Sequence, residues 1–200
     1  GFFLIRYTSF LIVAFTYYAF IKAEHNKEYY KKQLERMAWH DQLTNLLNRS
    51  KFIELIETQR NTPMKNQFIA LIDIDHFKKV NDTYGHLVGD NVLIQLSSVF
   101  AERMKQNMIV ARYGGEEFIV YLEASTFEEA IVTLEHLRQQ VRSVPFEIDD
   151  KHHIHLSISI GLAQLEKHTM LKDVIHTADQ HLYVAKERGR DQLISSYHTD

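Results

Sequence analysis

The chain has no cysteine, only two prolines and only seven glycines among its 200 residues. Without cysteine there is no disulfide framework and no thiolate chemistry, which fits a reducing compartment. The scarcity of proline and glycine excludes long flexible linkers and low-complexity tracts. A net charge of −3 with histidines neutral gives no general basic surface, so we predict no nucleic-acid partner. The 45% hydrophobic content is enough for the core of one ordinary domain with a short appendage.

An apolar stretch opens the sequence. Residues 1–21 (GFFLIRYTSFLIVAFTYYAFI) carry one charge, Arg6, and reach the length of about 20 residues that a membrane-spanning helix needs. A signal-like segment and a buried core helix are the competing interpretations. Basic residues follow the stretch, which by the positive-inside rule places the remainder in the cytoplasm. We predict a transmembrane helix over 1–21, preceded by further spans if the sequence, which begins with glycine, is a fragment.

A linker helix is predicted over residues 22–40. The segment has a helical composition and a short apolar stripe that Lys27 interrupts. Two heptads are too few to decide between a helix that pairs with a second copy and a single solvated helix. The globular domain is predicted over 41–200.

A glycine pair separates two apolar runs in the middle of the chain. Met108–Ala111 and Ile119–Leu122 flank RYGGEEF (112–118), which predicts a hairpin whose glycines supply the positive φ of a tight turn. Adjacent strand residues point to opposite faces, so Glu116 and Glu117 should not serve one site, and Glu116, beside the turn, is the better candidate. Alone, such a hairpin is more often structural than functional.

A second acidic position follows a buried strand. Residues 67–74 (QFIALIDI) form a continuous apolar run, typical of a central strand buried on both faces. Asp73 lies where the strand ends, and Asp75 would project to the same side if the strand continued. The pair could bind a divalent cation, or an aspartate here could cap a helix at His76.

Two helices are predicted next, over Phe77–Tyr84 and Val88–Lys105. Asn81 and Asp90 lie on this pair. An amide and a carboxylate match the edge of guanine, whose N1 and N2 hydrogens are donors that adenine lacks. The alternative is helix capping by Asn81 and a solvated Asp90.

The remaining elements provide scaffold. Thr126 and Glu129 form a capping box at the start of a helix. Alternating isoleucines and a leucine over 154–160 predict a half-buried strand. His153 and His155 share a face of that strand and could bind a metal, but a solvated strand edge is favoured.

The last predicted helix ends at Gly189, a common stop. Lys186 and Arg190 lie at this end, four residues apart. They could simply complement the helix dipole.

Two of these segments resemble one family closely. RYGGEEF resembles the signature of GGDEF domains, the diguanylate cyclase family, with Glu116 in place of the usual aspartate. Residues 41–49 (DQLTNLLNR) are similar to the family's opening DxLTGLxNR. Asn45 takes the glycine position there, which asparagine can fill because it tolerates a left-handed backbone.

Three further segments match in order: 71–90 (LIDIDHFKKVNDTYGHLVGD), 157–163 (SISIGLA) and 185–190 (AKERGR). They resemble the family's metal and guanine segment, a later strand and the basic closing motif. The five matches cover about 155 residues, far more than one short motif supports. The chain is therefore identified as a member of this family.

The order of elements fits an antiparallel α+β sheet with helices on one side, and the resemblance implies a palm-like, ferredoxin-related fold. It implies a magnesium-dependent enzyme, a nucleotidyltransferase that condenses two GTP into cyclic di-GMP and two pyrophosphates. Two Mg²⁺ ions per active site, with Mn²⁺ as a substitute, and a homodimer with one GTP per domain are expected. The protein would lie at the bacterial cell membrane through its N-terminal helix, with the catalytic domain in the cytoplasm. The alternative is a catalytically silent domain that binds GTP or a protein partner as a signalling module.

Roles for single residues also follow from the resemblance. Magnesium would be bound by Asp73, the Ile74 carbonyl and Glu116, and Glu116 would also receive the hydroxyl proton. The guanine would be read by Asn81 and Asp90, with His86 close to the nucleotide. Phosphates would be held by backbone amides around His76 and Phe77 and by Lys78, Lys186 and Arg190, with Lys78 and Glu116 counted as catalytic.

Two positions depart from the family pattern. Many relatives carry an RxxD product-inhibition site where this chain has Lys105 and Met108, so we predict no high-affinity product inhibition there. His76 stands where an aromatic residue is frequent. That change alters the contact that the ring makes with phosphate but leaves the backbone amide in place.

Overall fold

The computed structural model describes residues 2–59, 66–103 and 107–196, without the side chains of residues 2–9, 11, 59 and 103. The chain divides into two compact units, residues 1–39 and 40–200.

The first unit is one helix of 38 residues, α1 (Phe2–Trp39). Within the part of the chain that the structure describes, no helix is long and apolar enough to cross a membrane. The transmembrane helix predicted over 1–21 is therefore not supported, and nearly half of its side chains, including that of Arg6, lie outside the described residues.

The second unit alternates strands and helices. Its described elements are β1 (Leu47–Asn48), α2 (Arg49–Gln59), β2 (Asn66–Ile74), α3 (Phe77–Tyr84), α4 (His86–Arg103), β3 (Met108–Gly114), β4 (Glu117–Ala124), α5 (Phe127–Ser143), β5 (Phe146–Asp149), β6 (His152–Ile154), β7 (Ile158–Leu165), α6 (Leu171–Glu187) and β8 (Leu193–Ser195).

The main sheet has six strands in the order β1-β3-β4-β2-β7-β8. Strand β2 is central and runs antiparallel to β4 and β7. At the two edges β1 pairs with β3, and β8 with β7, in parallel. The sheet is thus mixed, and the prediction of a wholly antiparallel sheet was wrong. The crossover through α6 explains one parallel pair, because it returns the chain to β8 in the direction of β7.

Helices cover both faces of this sheet, so the prediction of helices on one side was also wrong. On one face α3, α4 and α5 pack on alternate residues of β2 such as Phe68 and Ile72. On the other face α2 and α6 pack on residues such as Ile69 and Leu71. A strand covered on both faces has no polar side, which accounts for the continuous apolar run of β2.

Helix α6 lies unusually close to the sheet. A Cβ added to Gly161 of β7 would lie 2.0 Å from the Ala178 carbonyl oxygen and 2.3 Å from the Leu182 nitrogen. Only glycine permits this approach of two backbones. The contact fixes the height above the sheet of the helix that carries Lys186.

Several local predictions are confirmed. Helix α3 has the predicted bounds. Asn45 is left-handed, with φ of 57°. The Thr126 hydroxyl accepts a hydrogen bond from the Glu129 amide at 3.2 Å, as a capping box requires. Helix α4 begins at His86, earlier than predicted, and Lys105 lies outside the described residues.

The strand predicted over 154–160 is two strands in different sheets. Strand β6 ends at Ile154 and pairs with β5, whereas β7 begins at Ile158 in the main sheet. His153 and His155 are exposed. Among the described residues no group of three or more His, Cys, Asp or Glu side chains is arranged to hold a metal ion.

Candidate active site

A cleft of about 520 Å³ opens where the end of β2 meets the β3–β4 turn, the start of α3 and the end of α6. Eight of the eleven predicted site residues line it, together with two that were not predicted. The lining consists of Asp73, Ile74, His76, Phe77, Lys78, Lys79, Asp82, Glu116, Lys186 and Arg190. The structure thus gathers residues that are more than 100 positions apart in the sequence.

Three acidic residues, Asp73, Glu116 and Glu117, form a cluster that we call the carboxylate corner. Asp73 is the penultimate residue of β2 and is 5% exposed, and Glu117 is its direct partner across the β2–β4 ladder. Glu116 lies in the turn before β4 begins, and both glutamates interact electrostatically with Asp73 and Lys186. Glu116 lines the cleft, whereas Glu117 lines a separate pocket with Arg49 and Asp179, as expected if the two glutamates do not serve one site.

The sequence reasoning did not identify that Glu117 lies beside Asp73. The ladder that pairs Asn66 with Ala124 and Asp73 with Glu117 places them side by side. Matching the apolar residues of the two strands along the sequence would have indicated this register. The glycine turn also differs in detail, since Gly115 has positive φ (36°) and Gly114 does not.

Burial and mutual repulsion perturb this cluster. Burial raises the pKa of Asp73, and the Lys186 ammonium, 2.7 Å from its Oδ2, opposes that rise. Burial, followed by the nearby Asp73 charge, also raises the pKa of Glu116 and of Glu117. Three crowded carboxylates around one lysine leave an excess of negative charge, which a hard divalent cation would neutralise.

Basic residues also line the cleft. His76 precedes α3 in a left-handed conformation, with φ of 58°. Lys78 and Lys79 are exposed in the first turn of α3. Lys186 pairs with Asp73, so it does more than complement the end of α6. Arg190 lines the cleft and also donates to the Lys186 carbonyl at 3.4 Å, as the helix-end alternative expected.

The three remaining predicted residues lie on α3 and α4, outside this lining. Asn81 is half-buried, whereas His86 and Asp90 are exposed. A Cβ at Gly89 would lie 1.9 Å from Asn81 Oδ1 and 3.3 Å from Phe77 Cζ. The Asn81 amide therefore fills the space above Gly89, next to Asp90 in the chain, and Phe77 connects this place to the cleft.

Arg112 joins the hairpin turn to the start of the domain. Its Nε and Nη2 donate to the Gly115 carbonyl at 3.0 and 2.8 Å, and its Nη1 donates to Asp41 Oδ1 at 2.9 Å. The same carboxylate oxygen accepts from the amide and hydroxyl of Thr44. Burial alone would raise the pKa of Asp41, but the bonds from Thr44 and Arg112 outweigh it and lower that pKa.

Asp75 does not face the carboxylate corner, contrary to the prediction for a continued strand. Strand β2 ends at Ile74, and the Asp75 carboxylate accepts hydrogen bonds from the Ser157 and Ser159 hydroxyls, both at 2.6 Å, and from the Asp191 amide at 3.0 Å. We call these four residues the Asp75 cluster. They connect β2, β7 and the turn after α6.

An α+β domain that combines carboxylates, lysines and an arginine in one cleft at the end of its central strand has the composition of a phosphoryl-transfer domain. The family described as "Diguanylate cyclase, GGDEF domain" matches residues 38–192, and the chain belongs to this family.

Curated relatives agree with this assignment. The chain is 38% identical over 156 residues to diguanylate cyclase DgcP of Pseudomonas aeruginosa, covering 76% of this chain and 23% of the relative. It is 36% identical over 160 residues to diguanylate cyclase DosC of Escherichia coli, covering 76% and 34%. The chain thus spans about a quarter to a third of the length of these relatives.

Solved structures show the same fold. The coiled coil and GGDEF domain of DgcB from Caulobacter crescentus, in complex with c-di-GMP, superposes with a TM-score of 0.79 at 29% identity, covering 89% of this chain and 95% of that chain. Diguanylate cyclase SiaD from Pseudomonas aeruginosa, in complex with its activator SiaC, gives a TM-score of 0.76 at 25% identity, covering 98% and 80%.

Proposed function

We propose that this chain is the catalytic part of a diguanylate cyclase, which condenses two GTP molecules into cyclic di-GMP and releases two pyrophosphates. One observation carries the proposal: the carboxylates of Asp73 and Glu116 and the cationic groups of Lys186 and Arg190 line the same cleft. The names of the curated relatives support it.

The reaction needs positioning and charge stabilisation rather than a covalent intermediate. The 3′-hydroxyl oxygen of each GTP bonds to the α-phosphorus of the other, and the bond to pyrophosphate breaks. Glu116 takes up the hydroxyl proton, a role that suits a carboxylate whose pKa is raised by burial. Lys78, Lys186, Arg190 and the amides after His76 bind the phosphate oxygens.

We propose Mg²⁺, two ions per site, as the cofactor, with Mn²⁺ as a substitute. The donor set fits, because carboxylates and a backbone carbonyl are the oxygen ligands that such ions prefer. Asp73, Glu116 and the Ile74 carbonyl would hold the metal. When bound, it would neutralise phosphate charge and make the 3′-hydroxyl more acidic.

Asn81 and Asp90 are proposed to select guanine. The position of the Asn81 amide over Gly89 supports this role, because the amide is held next to the residue that supplies the carboxylate. His86, exposed at the start of α4, would lie near the nucleotide.

A homodimer is proposed as the active form. Each domain provides one cleft of this kind for one GTP, so two domains must face each other to join two nucleotides. Location at a bacterial cell membrane, with this domain in the cytoplasm where GTP is found, stays a prediction that cell fractionation tests.

Product inhibition is predicted to be weak at the family's RxxD position. Met108 is buried in β3, where it offers no carboxylate, and Lys105 lies outside the described residues. Titration of cyclic di-GMP against the initial rate tests this, and sub-micromolar inhibition would refute it.

The function is tested by incubating the purified chain with GTP and magnesium at several protein concentrations. We expect cyclic di-GMP and pyrophosphate, formed more than linearly with protein, and loss of both in Glu116→Gln. Glu123→Gln, near the other end of β4, is the matched control and should retain activity. GTP binding without product at any concentration would favour the silent signalling module instead.

A further inference from the structure

The turn that carries Arg190 has a strained backbone. Gly189, Arg190 and Asp191 have φ values of 111°, 65° and 47°. Two of these three consecutive residues have a Cβ, for which the left-handed region is unfavourable. Such a conformation persists only where neighbouring groups enforce it.

Helix α5 supplies the first set of enforcing contacts. The Asp191 carboxylate forms ion pairs with Arg138 and with Arg142, the latter at 2.6 Å. Arg138 also donates to the Asp191 carbonyl at 2.9 Å. Of the described residues that line the cleft, none belongs to α5, so these arginines reach the site only through the turn.

The Asp75 cluster supplies the second set. Asp75, only 4% exposed, accepts the Asp191 amide on the same oxygen that accepts the Ser157 hydroxyl. The Arg190 amide in turn donates to the Ala185 carbonyl at 2.9 Å, which closes the end of α6. The backbone on both sides of the Arg190 side chain is therefore fixed.

We propose that Asp75 and Asp191 are positioning residues that hold this strained turn so that Arg190 projects into the cleft beside Lys186. The inference rests on the proposed function, in which Arg190 binds phosphate oxygens of GTP. A guanidinium on a fixed backbone loses less conformational entropy when it binds, and so binds more tightly. Neither aspartate touches the substrate.

The alternative is that both aspartates only stabilise the fold around β8. The two explanations differ in one measurable respect. If the aspartates act through Arg190, their substitution has no further effect on GTP affinity once Arg190 is alanine, whereas independent effects add.

The test compares Asp191→Asn, Arg190→Ala and the double variant by KM and kcat for GTP. We expect Asp191→Asn to raise KM about tenfold with a smaller change in kcat, because binding rather than chemistry is affected. The double variant should have the KM of Arg190→Ala. Glu135→Gln is the matched control, since it removes the other carboxylate that pairs with Arg138 and leaves Asp191 in place.

Asp75→Asn is the second arm, with thermal unfolding measured alongside. Because Asp75 is buried, this variant can fail to fold. In that case Arg142→Gln replaces it, because this variant removes a partner of Asp191 at the surface, and its KM for GTP is measured instead. A normal KM in Asp191→Asn, or an additive effect in the double variant, overturns the inference. A wild-type chain that neither binds nor converts GTP would instead contradict the proposed function.

Discussion

The carboxylate corner and the Asp75 cluster begin two residues apart on the chain, and both contain a nearly fully buried aspartate. Asp75 accepts hydrogen bonds from three neutral donors. Asp73 has one lysine as its ion-pair partner, the Asp75 charge raises its pKa after burial does, and its own charge raises the pKa of Glu116 and of Glu117. Burial alone therefore does not distinguish a carboxylate that faces the cleft from one that holds the backbone in place. The balance of donors and like charges does, because it decides whether the native state tolerates the charge or needs a ligand to offset it.

Asp73→Asn, in the carboxylate corner, is expected to have the largest effect on activity. We expect cyclic di-GMP formation to fall about 10³-fold, in the range for loss of a group that stabilises charge in the reaction. The free energy of unfolding should change little, because an amide oxygen still accepts from Lys186. Steady-state rates and urea unfolding measure the two quantities, and a large loss of stability would erase the proposed contrast with Asp75.

Asp75→Ala should reduce the stability of the domain far more than Asp73→Asn does. Three donors in the Asp75 cluster lose their acceptor, so we expect a loss of about 3 kcal/mol in the free energy of unfolding. Urea unfolding is the measurement. Ser159→Ala, which removes one of the donors and leaves the other two, should cost only about 1 kcal/mol. Equal effects of the two variants would contradict the account of a shared acceptor.

Gly89→Ala tests the position of the Asn81 amide, which carries no charge. Its expected effect is smaller than that of Asp73→Asn. The new Cβ would displace the Asn81 amide, so we expect the preference for GTP over ITP, which lacks the N2 donor, to fall about tenfold. Relative kcat/KM values for the two nucleotides measure this. In an Asn81→Ala background the same substitution should leave the preference unchanged, and a further decrease there would argue against displacement of Asn81.

A change of pH is expected to have smaller effects on the free energy of unfolding, with opposite signs for Glu116 and Asp41. Glu116 has a raised pKa, so the native state binds more protons than the unfolded state above about pH 4.5, and its contribution to stability falls as pH rises. Asp41 has a lowered pKa, so its contribution is present above about pH 3.8 and is lost as pH falls through the native value.

Urea unfolding of Glu116→Gln and Asp41→Asn between pH 3 and 7, without added divalent cation, measures these differences. Relative to wild type, Glu116→Gln should gain stability as pH rises and Asp41→Asn should lose it. Differences with the same slope for both variants would show that the two carboxylates do not differ in the way described.

The features predicted correctly from the sequence depend on local geometry. The left-handed Asn45, the capping box at Thr126 and the bounds of α3 follow from residues within a few positions of each other. The family motifs also predicted which residues line one cleft. They did not predict how the sheet brings those residues together.

The features that were missed depend on contacts distant in sequence. Glu117 joins the carboxylate corner because of the β2–β4 register. Asp75 faces serines 82 and 84 positions away, and Arg112 reaches Asp41 across 71 positions. Periodicity within a segment carries no information about such pairs.

The ion pair between Lys186 and Asp73 has a consequence for the resting domain. The ammonium lies 2.7 Å from a carboxylate oxygen that a metal would use, so Lys186 already serves as a counterion to Asp73. A divalent cation alone must compete with that lysine, whereas a cation that arrives with a triphosphate offers Lys186 new oxygen partners at the same time. We therefore expect magnesium to bind weakly without nucleotide and to enter together with GTP. The concentration of GTP rather than that of magnesium would then determine when both are bound.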